Sequence, residues 1–136
     1  MNIEKSYEPK RENLFLVKFP EEFKINSWVV QKVNRPKYAD GKWENIEITF
    51  VDPIAESTTK RLFDLIEIIE KRKINNVSPL FIFNILTCDS TGIVVEDWEI
   101  SVSDVILIDF DNHDYSSDKL LKPRMVVDPK YCQLKI

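Results

Sequence analysis

The run Trp43-Glu44-Asn45-Ile46-Glu47-Ile48-Thr49-Phe50 decides the fold class. Ile46, Ile48 and Phe50 fall on one side of an extended chain, and Glu47 and Thr49 on the other. That period of two marks a half-buried antiparallel strand. Asp40-Gly41 upstream is a turn signal, and Asp52-Pro53 closes the run. Toward the N-terminus, residues 25–33 gather Trp28, Val29, Val30 and Val33, which predicts a second strand. Residues 13–19 (N-L-F-L-V-K-F) predict a third, stopped by Pro20. Between these strands, Pro36 pushes Arg35 away from helical geometry, so residues 34–38 are expected to be extended or turning.

Toward the C-terminus one helix is expected over residues 57–72. Ser57 or Thr58 can cap it, and Leu62, Leu65, Ile66 and Ile69 form a single buried stripe. Lys71, Arg72 and Lys73 suit its negative end, while Glu67 and Glu70 argue against a membrane-surface helix. Strands follow at residues 80–86, 93–100, 105–110, 125–127 and 132–136, with a turn at 88–92. In residues 93–100, Val95, Asp97 and Glu99 share one face, and Val94, Glu96, Trp98 and Ile100 the other. Neither face is wholly apolar, which predicts an edge strand or a face completed by another subunit. The expected fold is mainly β with one flanking α-helix, an antiparallel β-sandwich or partly closed barrel. Residues 13–136 form its single domain, after a flexible N-terminal segment over residues 1–12.

With 136 residues, 43% of them hydrophobic, the chain can bury one core. Its two glycines leave little material for phosphate-cradling loops. A net charge of -4 does not suit a surface that tracks phosphates. No apolar run approaches the roughly 20 residues that span a bilayer, so no membrane partner is expected. The charged start lacks the apolar core of a signal peptide, which predicts synthesis in a reducing cytoplasm. There Cys88 and Cys132 are expected to be free thiols.

Candidate chemistry is sparse. His113, the one histidine, has no nucleophile elbow around it, and an exposed loop position is the plainer expectation. Asp109, Asp111, Asp114 and Asp118 alternate like calcium ligands, but a turn glycine and a closing bidentate Glu are missing. One His and two distant Cys make no zinc set. Glu96 and Glu99 fall on opposite faces of a strand and cannot share acid–base work. Trp28, Trp43 and Trp98 suit core or interface anchoring, the alternative being base or sugar stacking in a small ligand- or nucleic-acid-binding module. No enzyme and no cofactor or metal is expected.

A series of segments resembles the tail tube proteins of contractile-tailed bacteriophages, a group related to the inner tube proteins of injection systems. They run in order from Asn13-Leu14-Phe15-Leu16-Val17-Lys18-Phe19, through Arg35-Pro36-Lys37 and Trp43-x-x-Ile46-x-Ile48-x-Phe50-x-Asp52-Pro53, to Ile85-Leu86-Thr87-Cys88-Asp89-Ser90-Thr91-Gly92. Val95-Glu96-Asp97-Trp98-Glu99-Ile100, Ile108-Asp109-Phe110-Asp111-x-x-Asp114-Tyr115-Ser116 and Tyr131-Cys132-Gln133-Leu134 complete it. The resemblance implies a virion structural protein whose hexameric rings stack into a tube. DNA passes through the channel without specific binding, and sheath, baseplate and tape-measure proteins are partners. It implies a place in the virion tail, as tube subunit or as a tube initiator, baseplate or connector piece. Under it, Trp98, Ile100, Tyr131 and Leu134 are expected at subunit contacts, and Glu47, Glu96 and Glu99 as lumen charges that repel phosphate.

Overall fold

The computed structural model describes residues 8–136. Strand β1 covers Phe15–Lys18, β2 Val30–Val33, β3 Tyr38–Ala39, β4 Lys42–Trp43 and β5 Ile46–Phe50. Helix α1 follows over Thr58–Ile74, then β6 over Phe81–Cys88, β7 over Val94–Asp109 and β8 over Arg124–Leu134. Six strands form one antiparallel sheet in the order β1-β6-β7-β8-β5-β2, and β3 and β4 form a separate hairpin. Asp40 (φ 53) and Gly41 (φ 78) make the tight turn of that hairpin, the left-handed pair that a two-residue loop demands. β1 and β2 are the sheet's two edges, and the 3-10 turn Ser27–Val29 that leads into β2 lies against β1. The sheet therefore curls back on itself into a nearly closed barrel.

Alternation fills that barrel. Ile46, Ile48 and Phe50 are buried on β5, opposite Val127 and Met125 of β8. Phe81, Phe83 and Ile85 of β6 face Val102, Ile100 and Trp98 of β7. Phe19 stacks on Phe83 at 5.7 Å, joining the end of β1 to this layer. α1 starts where expected. The Ser57 hydroxyl accepts from the Lys60 amide at 3.2 Å, and Asp52 accepts from the Thr59 amide at 3.2 Å. Its stripe Leu62, Leu65 and Ile69 is buried in the core, Ile66 is only half-buried, and Ile68 also packs on the core. At its far end Arg72 donates to the Leu80 carbonyl at 2.7 Å and to Glu22 at 2.9 Å, and lies over the Phe23 ring.

Several sequence expectations need correction. β7 is one strand of 16 residues, not two, and it lies inside the sheet between β6 and β8, not at an edge. Register shifts around Val102 and between Val105 and Leu107 break its alternation, which hid its continuity. They also leave Ile106 and Leu107 exposed where a buried strand was expected. β8 likewise runs unbroken for 11 residues, through Pro129. Pro129 is tolerated because it pairs with Val102 at a bulge, and β5 stops at Val127. Of residues 25–33 only Val30–Val33 is strand, Ser27–Val29 being 3-10. The flexible segment expected over residues 1–12 lies outside the described residues as far as residue 7, while Glu8 and Lys10 make side-chain contacts.

Candidate assembly interface

Among the described residues, one charged side chain is enclosed by the fold. Glu96 is 1% exposed on the inner face of β7, beyond the apolar layer. Its Oε1 accepts from Arg35 Nε at 3.1 Å, Arg35 Nη2 at 2.7 Å and Trp98 Nε1 at 2.8 Å. Its Oε2 accepts from Lys10 Nζ at 2.6 Å and Arg35 Nη2 at 2.7 Å. Burial pushes the Glu96 carboxyl up, but the hydrogen bonds from Lys10 and Arg35, the Arg35 charge and the Trp98 indole together hold it below the usual carboxylate range. Trp98 meets Trp43 edge-on at 6.0 Å, and Trp43 meets Tyr38 at 5.1 Å. The β3–β4 hairpin is thus laid over the barrel mouth beside the ion pair.

The sheet's outer face is mixed. Asn84 donates to Asp97 at 2.8 Å, Glu99 pairs with Lys135 at 2.6 Å, and Tyr131 lies opposite Ser101. Further round the same face Glu47 pairs with Arg124 at 3.2 Å, and Arg124 reaches Asp109 at 3.4 Å. Large apolar side chains stay exposed beyond the barrel: Ile106 and Leu107 on β7, Tyr115 and Leu120 in the connection to β8, and Phe63 on α1. Phe63 and Phe110 line a shallow hollow with Ser57, Thr59 and Lys60.

The residues singled out in the sequence are therefore divided. Ile100 is fully buried, so it belongs to the core and not to a subunit contact. Its neighbours on both sides, Phe83 and Cys132, leave it no free face. Glu96 is removed from the lumen set, because it is enclosed and paired with two cations. Glu47 and Glu99 do share the outer face, each beside a cation. Trp98 is half-buried over Glu96, whereas Tyr131 and Leu134 are exposed. Trp28 is 60% exposed and stands apart from the Trp43–Trp98 pair. His113 is exposed in its loop. The acidic stretch shapes that loop: Asp111 accepts from the amides of Asn112 and Lys122, and Asp114 from the Ser116 amide. Among the described residues no group of three or more His, Cys, Asp or Glu is placed to hold a metal. Sequence reasoning missed Lys10 and Arg35 as partners of Glu96. The available signal was a carboxylate between Val94 and Trp98 on an inward face, which needs a cation from somewhere.

No protein-family model and no curated protein matches the chain. Solved structures do match over nearly its whole length. A chain of the sheath–tube complex of the extracellular contractile injection system PVC, in its extended state, superimposes with a TM-score of 0.70 at 14% identity, covering 99% of this chain and 97% of that one. A chain of the tube-terminating cap of the anti-feeding prophage gives 0.66 at 14% identity, covering 94% and 91%. A chain of the anti-feeding prophage baseplate gives 0.60 at 12%, covering 94% and 96%. At these identities the likeness is one of fold, and the fold is the tail-tube type found in tube, cap and baseplate assemblies of contractile injection systems.

Proposed function

We propose that this chain is a non-enzymatic structural subunit of a contractile tail or injection apparatus, and that its copies form hexameric rings that stack into a tube. The observation that carries the proposal is the end-to-end match to a chain of a sheath–tube complex, which leaves almost none of either chain unmatched. The exposed Ile106, Leu107, Leu120 and Phe63 support it, because apolar side chains of this size gain by being covered in an assembly. Tyr131 and Leu134 join them as contact residues. Sheath, baseplate and tape-measure proteins are the partners, and the tail is the location.

The outer sheet face carrying Glu47 and Glu99 lines the channel. Glu47 and Asp109 share Arg124 and Glu99 pairs with Lys135, so these carboxylates meet a passing cargo, whether DNA in a phage or an effector in an injection machine, as partly screened charges. The likeness to cap and baseplate chains favours a second reading, a piece that ends or starts the tube. Light-scattering mass across a concentration series, followed by negative-stain imaging, separates them. Stacked tubes establish the repeating subunit. Single rings that never stack establish the end piece, and a monomer at every concentration overturns self-assembly.

A further inference from the structure

Glu96 has more donors than it needs. Without Lys10, Oε1 keeps Arg35 Nε, Arg35 Nη2 and the Trp98 indole, and Oε2 keeps Arg35 Nη2. Both oxygens stay satisfied and the charge stays cancelled. Without Arg35, Oε1 keeps only the neutral indole, and the carboxylate loses its forked partner. The two cations are also rooted differently. Arg35 lies two residues past the end of β2 and precedes the hairpin whose Trp43 packs on Trp98. Lys10 arrives on residues 8–12, a stretch of mostly exposed backbone without regular secondary structure. Among the described residues that stretch is otherwise tied by Glu8, which accepts from the Ser90 hydroxyl at 3.1 Å, and by the Leu14 amide bonding to the Arg11 carbonyl at 3.3 Å.

We propose that residues 8–12 form a detachable strap across the barrel mouth, fastened by Lys10 to a carboxylate that Arg35 and Trp98 hold in place when the strap lifts. Lifting it uncovers Glu96 Oε2 for one incoming cation and frees the N-terminal segment to reach a neighbouring copy. Only that use of the freed segment rests on the tube reading; the strap itself is a property of the single chain.

The test compares Lys10→Gln and Arg35→Gln in the full-length chain, with circular dichroism confirming that each folds. Brief trypsin exposure measures cleavage after Arg11, and thermal melts measure the barrel. Lys10→Gln is expected to speed cleavage after Arg11 about tenfold, tracking the larger open population, while moving Tm by less than ~2 °C. Arg35→Gln is expected to lower Tm by more than ~5 °C. Unchanged cleavage in Lys10→Gln overturns the fastening role of Lys10. A Tm loss in Lys10→Gln equal to that of Arg35→Gln overturns detachability, since Lys10 would then be part of the barrel's own framework. Both readouts come from the dissociated chain, so failure of tube assembly leaves them intact.

Discussion

Glu96 is the residue at which burial and charge conflict most sharply. An ionised carboxylate enclosed by the sheet is tolerable because the forked Arg35 cancels its charge, while the Trp98 indole and Lys10 add further donors. Glu96→Gln keeps the shape but turns a buried acceptor into an amide facing the same donors, while Arg35 and Lys10, both more than half exposed, stay hydrated, so we expect a loss of about 1–3 kcal/mol in denaturant unfolding. The pH dependence has a definite sign. The folded-state pKa lies below the ordinary value of 4.5, so the contribution is complete above that value and is lost as pH falls through the folded pKa. Wild-type stability should drop below about pH 4.5 more steeply than that of Glu96→Gln; parallel curves would show that the carboxylate carries no such linkage. Cys132 makes a second prediction at this scale. Burial pushes its thiol up to about 11, and at pH 8 only about one part in a thousand is thiolate. Iodoacetamide at pH 8 should label Cys132 only after denaturation, as read by mass spectrometry.

At the scale of elements, α1 separates cap from packing. Ser57→Ala removes one acceptor at the helix start and should cost about 1 kcal/mol. Leu65→Ala opens space beneath a fully buried side chain and should cost about 2–5 kcal/mol. Equal losses in urea unfolding would mean that the helix is held by its end and not by its stripe. This element was legible in the sequence because its cap, its stripe and its basic C-terminal turn are all local signals. So was β5, whose Ile46, Ile48 and Phe50 alternate without interruption. β7 was not, because Asp104 stands where the Ile100–Val102 alternation calls for another apolar residue, the ladder shifts register around it, and a bulge has no sequence period. β8 was divided by Pro129 for a related reason. The proline is acceptable only because β5 ends before it, and that fact belongs to the topology. The Glu96 site was half legible. The inward carboxylate could be read from alternation, but Lys10 and Arg35 lie 86 and 61 residues away along the chain, and only the folded barrel brings them together.

For the whole molecule the question is why a barrel with a filled core leaves so much apolar surface outside it. Leu120 is 72% exposed and Tyr115 wholly so, both in the connection between β7 and β8, where neither contributes to the core. Exposed side chains of this kind contribute little to a lone chain, and substitutions there usually change stability by under about 0.5 kcal/mol. In the proposed ring or stack the same side chains would be covered, and a central apolar contact is commonly worth about 2 kcal/mol or more. The two states therefore respond differently to one change. Leu120→Asp should leave the melting curve of the dissociated chain where it was, while raising the concentration needed for assembly by more than about tenfold, since each tenfold corresponds to about 1.4 kcal/mol. Light scattering against concentration measures the second quantity and differential scanning calorimetry the first. If Leu120→Asp lowers Tm, the connection is part of the fold and not a contact. If Tm and assembly are both unchanged, the β7–β8 connection lies away from neighbouring subunits. The contacts would then have to come from elsewhere, with Tyr131 and Leu134 of β8 the next residues to replace.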